Sequence, residues 1–307
     1  MSLPSSLAGP VLVTGATGLV GGRLRAALRA EGLPVRALSR SPRPLGPGVE
    51  CLPWDGVAVE ARVLAGARAV VHLSGEPIFG GFPTASRRRR IWESRVTSTA
   101  SLVDAIGELP AAERPACLLC ASAVGIYGDQ GETALPESGP QGTGFLADLC
   151  RAWEEAAERA TGLGVRVVSP RLGLVLAGEG GALPAMARLF RSGLGGRLGS
   201  GRQWVPWVHV DDVVGLLLYA LQVETLRGPL NAVSPRCVRN AELTKILAAR
   251  LRRPAFLPAP GFVFRTLLGG LAGELLDSRH VVPDAARRAG YVFRTPLLSE
   301  AVATELG

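Results

Sequence analysis

Two short stretches of this chain carry residue types whose spacing suits phosphate chemistry. The first is Thr14-Gly15-Ala16-Thr17-Gly18-Leu19-Val20-Gly21. Gly15 permits a tight turn there, Gly18 lets backbone approach a pyrophosphate, and Gly21 lets a helix pack close to a sheet. Free N–H groups at the start of that helix would face the phosphates. The bland reading is a plain strand-to-helix turn. The second stretch is Ser39-Arg40-Ser41, directly after the strand expected over Pro34–Leu38. A fold that holds NAD usually places Asp or Glu at this strand end, on the ribose hydroxyls. Here there is no acid, and a guanidinium would instead pair with a 2′-phosphate in a fork. That selects NADP(H) over NAD(H), unless Arg40 is an ordinary surface arginine.

The elements that must position these residues are legible around them. Val11–Val13 is apolar enough for a buried parallel strand. A helical pattern then runs through Leu24 and Leu28 and stops at Gly32. Ala69–His72 reads as a strand ending in the small residues Ser74 and Gly75, which leave room for a ligand at the upper edge of a sheet. Leu52-Pro53-Trp54 ends another short strand at Asp55, which is open to two roles: accepting a hydrogen bond from adenine, or holding a turn. Alternating strands and helices predict an α/β protein with a doubly wound parallel sheet. Beyond Arg236, helical patterns dominate: Ala241–Leu251, Phe262–Leu271, Pro283–Ala289 and Ser299–Leu306. The expected division is a dinucleotide domain over residues 1–175, joined by 205–233. Residues 176–204 and 234–307 form a smaller substrate lobe.

Composition narrows the class. At 307 residues, 47% hydrophobic and 20% charged, the chain has ordinary globular composition, so disorder, coiled coil and collagen are excluded. The longest apolar run, near Val213–Leu218, is far short of a membrane helix, and Met1 to Pro10 shows no secretory signal. Five scattered cysteines then read as reduced thiols of a cytoplasmic protein. Cys117 and Cys120 have the spacing of a metal pair, but a strand would point them to opposite faces, and no metal site is expected. The net charge of +8 favours anionic partners. The run Arg87–Arg90 reads as the solvated start of a helix, without the interleaved aromatics of a single-strand nucleic-acid surface. Neither a nucleic acid nor a membrane is an expected partner.

By these residues the chain resembles an extended short-chain dehydrogenase/reductase. Thr14 to Gly21 matches that family's turn, Val71-His72-Leu73-Ser74-Gly75 its fourth strand, Ile126-Tyr127-Gly128-Asp129 its V-Y-G signature, and Val208-His209-Val210-Asp211-Asp212 its later acidic segment. The likeness extends to an atypical branch labelled nucleoside-diphosphate-sugar epimerases, through Leu73 to Ile78, Ser94-Arg95, Gly144 to Ala147, Trp153-Glu154 and the tail from Val282 to Pro296. The resemblance implies a Rossmann-type domain with a C-terminal substrate lobe. It implies NADP(H) near Gly15, Thr17, Gly18, Leu19, Val20, Ser39, Arg40, Leu73, Ser74 and Gly75, with Arg95 and Pro170 added, and a homodimer through helices of the N-terminal domain.

The family's catalytic pattern is where this chain departs. Its members use a Tyr-x-x-x-Lys pair on one helical face, with a Ser or Thr on the substrate oxygen. The three tyrosines, Tyr127, Tyr219 and Tyr291, are followed four residues on by Gly131, Val223 and Thr295, and Lys245 is the only lysine. On the helix expected over Phe145–Ala160, Phe145 or Leu146 takes the tyrosine place and Leu149 or Cys150 the lysine place. The hydroxyl place is Ala123, next to Ser122. Tyr127 and Ser122 are the remaining catalytic candidates, against a cleft-wall role for Tyr127. Cys150 reads as a buried inert thiol, Glu154 as an anchor for its helix, and Asp211 and Asp212 as caps of the helix that follows. Arg188, Arg191, Arg197 and Arg202 are either candidates for an anionic small-molecule substrate or solvated charges. The expected function is an NADP-dependent oxidoreductase or epimerase with altered proton chemistry; the rival is a catalytically silent NADP(H)-binding sensor or scaffold.

Overall fold

The computed structural model of the chain describes residues 9–78, 81–255 and 258–307. Residues 1–8, on which the expectation of no secretory signal rests, lie outside the described residues, as do two residues of the predicted loop Pro254–Pro260.

Short runs of β-branched and aliphatic residues, buried on both faces, form the sheet. In chain order its strands are β1 (Val11–Thr14), β2 (Val35–Ser39), β3 (Val49–Pro53), β4 (Ala69–His72), β5 (Cys117–Cys120), β6 (Ser122–Ala123), β7 (Arg166–Leu172) and β8 (Gly228–Ala232). All pair in parallel, in the order β8-β7-β5-β4-β1-β2-β3, with β6 also on β7. The order reverses at β1, whose last residue Thr14 is level with Leu38 of β2 and His72 of β4. A crevice opens beyond the carboxyl ends of strands at such a reversal, where ligands bind in doubly wound sheets.

Strand alternation divides the core in two. Val11, Val13, Ala37, Val71 and Leu119 face the helices Leu19–Ala30 and Val210–Gln222. Leu12, Leu38, Val70 and Leu118 face Ser98–Glu108 and Phe145–Glu158. Cys117 joins the first layer and Cys120 the second, as the strand reading of that pair requires. A further core, built from Leu183, Phe190, Leu243, Leu247, Leu298 and Val302, holds the helices Ala182–Arg191, Asn240–Leu251 and Leu298–Glu305 together. Trp207 is fully buried in it, its Nε1 donating to the Arg236 carbonyl. Among the described residues no helix is long and apolar enough to cross a membrane.

One expectation about the helix Val210–Gln222 is corrected. Its N-cap is His209, whose Nδ1 accepts from the Asp211 amide. Asp211 pairs with Arg23 at 2.7 Å. Asp212 is buried and accepts from the Arg294 and Thr295 amides, tying the C-terminal segment to the domain. The acids were read as caps because they open an apolar helix; tertiary partners 82 and 83 residues away take Asp212 instead.

Candidate functional site

The glycine turn is built by close approach. Gly15 sits at φ +68°, and a β-carbon there would lie 2.9 Å from the Leu73 carbonyl carbon and oxygen. A β-carbon on Gly21 would lie 2.1 Å from the Gly15 carbonyl oxygen, so any side chain would push the helix Leu19–Ala30 off the turn. At Gly18 a β-carbon would have only the Gly15 oxygen near it, at 3.3 Å, so without a side chain a ligand's phosphate could approach the protein backbone there.

The turn floors a cleft of about 610 Å³, within the range of pockets that take small molecules and cofactors. Gly15, Thr17, Gly18, Ser39, Arg40, Asp55, Leu73, Ser74 and Gly75 all line it. Leu19 and Val20 open the helix behind the turn, with Leu19 packed toward Gly180 and Gly181. Pro170 is buried in β7, in register with Leu230, and does not line the cleft. Of the two roles the sequence left open for Asp55, the structure shows the turn. It lines the cleft, and its Oδ1 accepts from the Val57 and Ala58 amides at 2.7 and 2.8 Å, so it also holds the turn.

Two cleft residues escaped the sequence reading. Arg43 and Arg90 line it together with Arg40. None of the three has a hydrogen-bond or ion-pair partner among the described residues. Asp55, Glu76 and Glu93 line the cleft as well, so the three unpaired guanidiniums make local anion-attracting points rather than a uniformly positive cleft. The run Arg87–Arg90 is therefore only partly the solvated face that was expected. Arg87 is buried and donates to the Pro77 carbonyl. Arg88 stacks over the Phe145 ring at 5.6 Å, with its Nε buried and unpartnered. Arg89 pairs with Glu93, and Arg90 faces the cleft. Four-residue spacing from Arg90 to Ser94, another lining residue, was the available signal.

Beneath the cleft floor, His72 holds the strand ends together. Its Nδ1 meets Thr14 Oγ1 at 2.8 Å, and the same hydroxyl oxygen accepts from the Leu73 and Ser74 amides. Burial lowers the imidazole pKa from 6.5 to about 4. The unfolded chain thus binds this proton more readily than the folded one. The stability that neutral His72 contributes is complete above about pH 6.5 and is lost as pH falls from there toward 4. Between pH 7 and pH 5 this site should account for about 2 kcal/mol of lost stability. Urea unfolding at both pH values, on the wild-type chain and on His72→Gln, checks it: the variant should lose much less between them, and an equal loss refutes the assignment.

Tyr127 and Ser122, the two catalytic candidates, meet in one buried network with Arg171, Glu154 and Asn231. The Tyr127 hydroxyl donates to Asn231 Oδ1 at 2.7 Å and accepts from Arg171 Nη1 at 2.8 Å. Arg171 forks onto both Glu154 oxygens at 2.8 Å, and Ser122 Oγ donates to Glu154 Oε1 at 2.6 Å. Tyr127 is 0% exposed and Ser122 2%. Burial, the largest influence, raises the Tyr127 hydroxyl pKa despite the neighbouring Arg171. Both hydroxyls are buried and committed to partners inside the protein, an arrangement that suits a framework role. Glu154 is the anchor that was expected. The Cys150 thiol is fully buried and pushed up to about 12, mainly by burial, which keeps it protonated.

Arg95 does not itself line the cleft; a local irregularity sets it behind the lining residue Gly75. Between the helices Ala85–Trp92 and Ser98–Glu108 the chain makes a π-helical turn over Glu93–Thr97, a form frequent at functional sites. The turn lays the Arg95 guanidinium against Gly75, where a β-carbon would sit 2.9 to 3.3 Å from its atoms, and over the Trp153 ring at 5.3 Å. Arg188, Arg191, Arg197 and Arg202 are all exposed and line no part of the cleft.

Comparison with known proteins agrees with this architecture. The model of the NAD dependent epimerase/dehydratase family matches residues 11–231, and a domain of unknown function (DUF1731) matches residues 259–305. The chain is 37% identical over 297 residues to the epimerase family protein SDR39U1 homolog of Arabidopsis thaliana, a chloroplastic protein, covering 95% of this chain and 85% of that one. It is 36% identical over 296 residues to SDR39U1 of Homo sapiens, covering 95% and 98%. The crystal structure of human SDR39U1 with NADPH superposes with a TM-score of 0.87 at 34% identity, over 96% of this chain and 98% of that one. A nucleoside-diphosphate sugar epimerase from Corynebacterium glutamicum superposes at 0.80 with 35% identity, over 99% of this chain and 59% of its own length.

Proposed function

Since the chain belongs to the NAD dependent epimerase/dehydratase family, we propose that it is an NADP(H)-dependent oxidoreductase or epimerase acting on an anionic small molecule. The single observation that carries the cofactor choice is the cleft wall at the end of β2. It presents Ser39, Arg40 and Arg43 with no carboxylate on that strand end. A carboxylate there would repel a 2′-phosphate, whereas unpaired guanidiniums hold one by charge-assisted forks. Gly15, Thr17 and Gly18 would hold the pyrophosphate, and Leu73, Ser74 and Gly75 the inner ribose side. Bound there, NADP(H) supplies hydride chemistry. The NADPH in the human relative's crystal structure supports the same reading.

The anionic character of the substrate rests on the cations beyond the cofactor cradle. Arg95 has no carboxylate within ion-pair distance among the described residues, and the Arg88 Nε is buried without a partner. Burying cations without counter-charge is costly, and a ligand's carboxylate or phosphate offsets that cost.

Fluorescence titration of the purified chain with NADPH and NADH, side by side, tests the cofactor reading. NADPH should bind at least ~10-fold more tightly, the discrimination expected from one charge-assisted hydrogen bond. Equal affinities would remove the arginine wall from its role, and binding of neither would overturn the proposed function as a whole.

A further inference from the structure

The helix Phe145–Glu158 places Leu146 and Cys150 where the family pattern puts its tyrosine and lysine. Their side chains meet at Gly125, on the turn that follows β6. A β-carbon on Gly125 would lie 3.6 Å from Leu146 Cβ, 3.7 Å from Cys150 Sγ and 3.7 Å from Glu274 Oε2. The third of these groups comes from a distant part of the chain. Glu274 opens the short helix Gly273–Leu276, within the C-terminal segment matched by the domain of unknown function. That segment lies over the start of the helix Phe145–Glu158: a β-carbon on Gly270 would sit 4.0 Å from Phe145 Cβ and 3.7 Å from Arg88. A carboxylate therefore stands beside Gly125, at the helix face that carries Leu146 and Cys150.

Two observations separate this carboxylate from a structural one. First, its ionic neighbour does not depend on it. Glu274 Oε2 is 3.4 Å from Arg279 Nη1, while Arg279 is held by Asp277 at 2.8 Å and by the Gly273 and Gly128 carbonyls at 3.0 and 3.2 Å. Second, the side chain keeps 31% exposure, so it reaches both solvent and the buried Cys150. The charged groups facing it are Arg279 from its own segment and Arg95 from the π-helical turn, with the neutral thiol of Cys150 between. Arg95 and Glu274 feel one another but form no ion pair among the described residues.

We propose that Glu274 is the residue that exchanges a proton with the substrate in this chain, standing in for the absent tyrosine. The inference rests on the function proposed above. In the reductive direction the carboxyl O–H bond breaks, its proton passes to the substrate oxygen as the adjoining carbon gains hydride, and the carboxylate regains a proton from water. In the oxidative direction the carboxylate takes the hydroxyl proton and releases it to solvent. Arg95 stabilises the oxygen while it carries negative charge. Neither Tyr127, locked by Arg171, nor Cys150 competes for this role.

The test compares NMR spectra of the full chain carrying an isotopic label on its glutamate carboxyl carbons, saturated with NADP⁺ or with NADPH. Loss of one resonance in Glu274→Gln assigns the signal. The oxidised cofactor carries a ring charge that the reduced one lacks, so the Glu274 carboxyl resonance should differ between the two complexes. An identical Glu274 resonance in both would overturn the proposal while leaving cofactor binding intact. Failure of both cofactors to bind would overturn the underlying function and this inference with it. A kinetic readout uses phenanthrenequinone as an unspecific carbonyl probe oxidising NADPH. Glu274→Gln should lower kcat by roughly 100-fold or more, Glu274→Asp less, with NADPH affinity held. Turnover by Glu274→Gln at the wild-type rate would equally overturn it.

Discussion

Arg40→Asp should reverse the cofactor preference of this protein. Hydrogen bonds to charged groups contribute about 1.5–3 kcal/mol each, and the substitution also sets a carboxylate against a doubly charged phosphate. NADPH affinity should fall roughly 100-fold or more, while NADH, whose free ribose hydroxyls suit a carboxylate, should gain. The local backbone tolerates the change. Arg40 is exposed, and its Cδ lies 3.2 Å from where a Gly56 β-carbon would be, so the guanidinium leans across the turn held by Asp55 rather than packing in the core. Arg43 decides how complete the reversal is. It lines the same cleft without a partner, so Arg40→Asp alone leaves one guanidinium in place. Arg40→Asp with Arg43→Ser should exceed the single variant. Titration of both variants with both cofactors measures this, and unchanged selectivity in the double variant would remove the pair from 2′-phosphate recognition.

The contrast between Arg40 and Arg43 shows what the sequence could and could not disclose. Arg40 was legible because its position is fixed by a local rule: the residue at the end of the second strand meets the ribose. Gly15, Gly18 and Gly21 were legible for the same reason, since a turn between a strand and a helix constrains each glycine by short-range sterics. Arg43 sits three residues further on in an exposed loop, where no periodic pattern fixes direction. Arg90 belongs to a run of four arginines whose side chains diverge around a helix, so composition alone could not say which one turns inward. The π-helical turn at Glu93–Thr97 has no sequence signature that the reading used, yet it aims Arg95. Glu274 lies about 150 residues from Gly125 in the chain, and only the folded C-terminal lobe brings the two together. Local geometry was readable; convergence of distant charged groups was not.

The same limit applies to Tyr127, and it leads to the largest expected effect on stability. Its place after the fifth strand left this tyrosine open to either a catalytic or a cleft-wall role, but its hydroxyl is held by Asn231, 104 residues on, and Arg171, 44 residues on. Arg171 is 3% exposed and its partner Glu154 15%, so their ion pair has left water almost entirely. Removing one partner of such a pair costs about 3–5 kcal/mol, because the other charge stays buried and uncompensated. Arg171→Met should therefore destabilise the chain by that amount, a large share of the roughly 5–15 kcal/mol that holds a typical protein folded. It strands the Glu154 carboxylate and leaves the Tyr127 hydroxyl and the Glu137 carbonyl each without a donor. Tyr127→Phe, which deletes one hydroxyl, should cost only about 1–2 kcal/mol. Replacing both charges, by Arg171→Met with Glu154→Leu, should restore more than half of the loss, since no lone ion then remains buried. Urea unfolding of the three variants orders them. If Arg171→Met costs less than Tyr127→Phe, the network is not what holds β7 to the helix Phe145–Glu158. Should the order hold, and Tyr127→Phe keep its NADPH affinity and its turnover of the quinone probe, the signature tyrosine has become part of the framework and the proton chemistry lies with the carboxylate above Gly125.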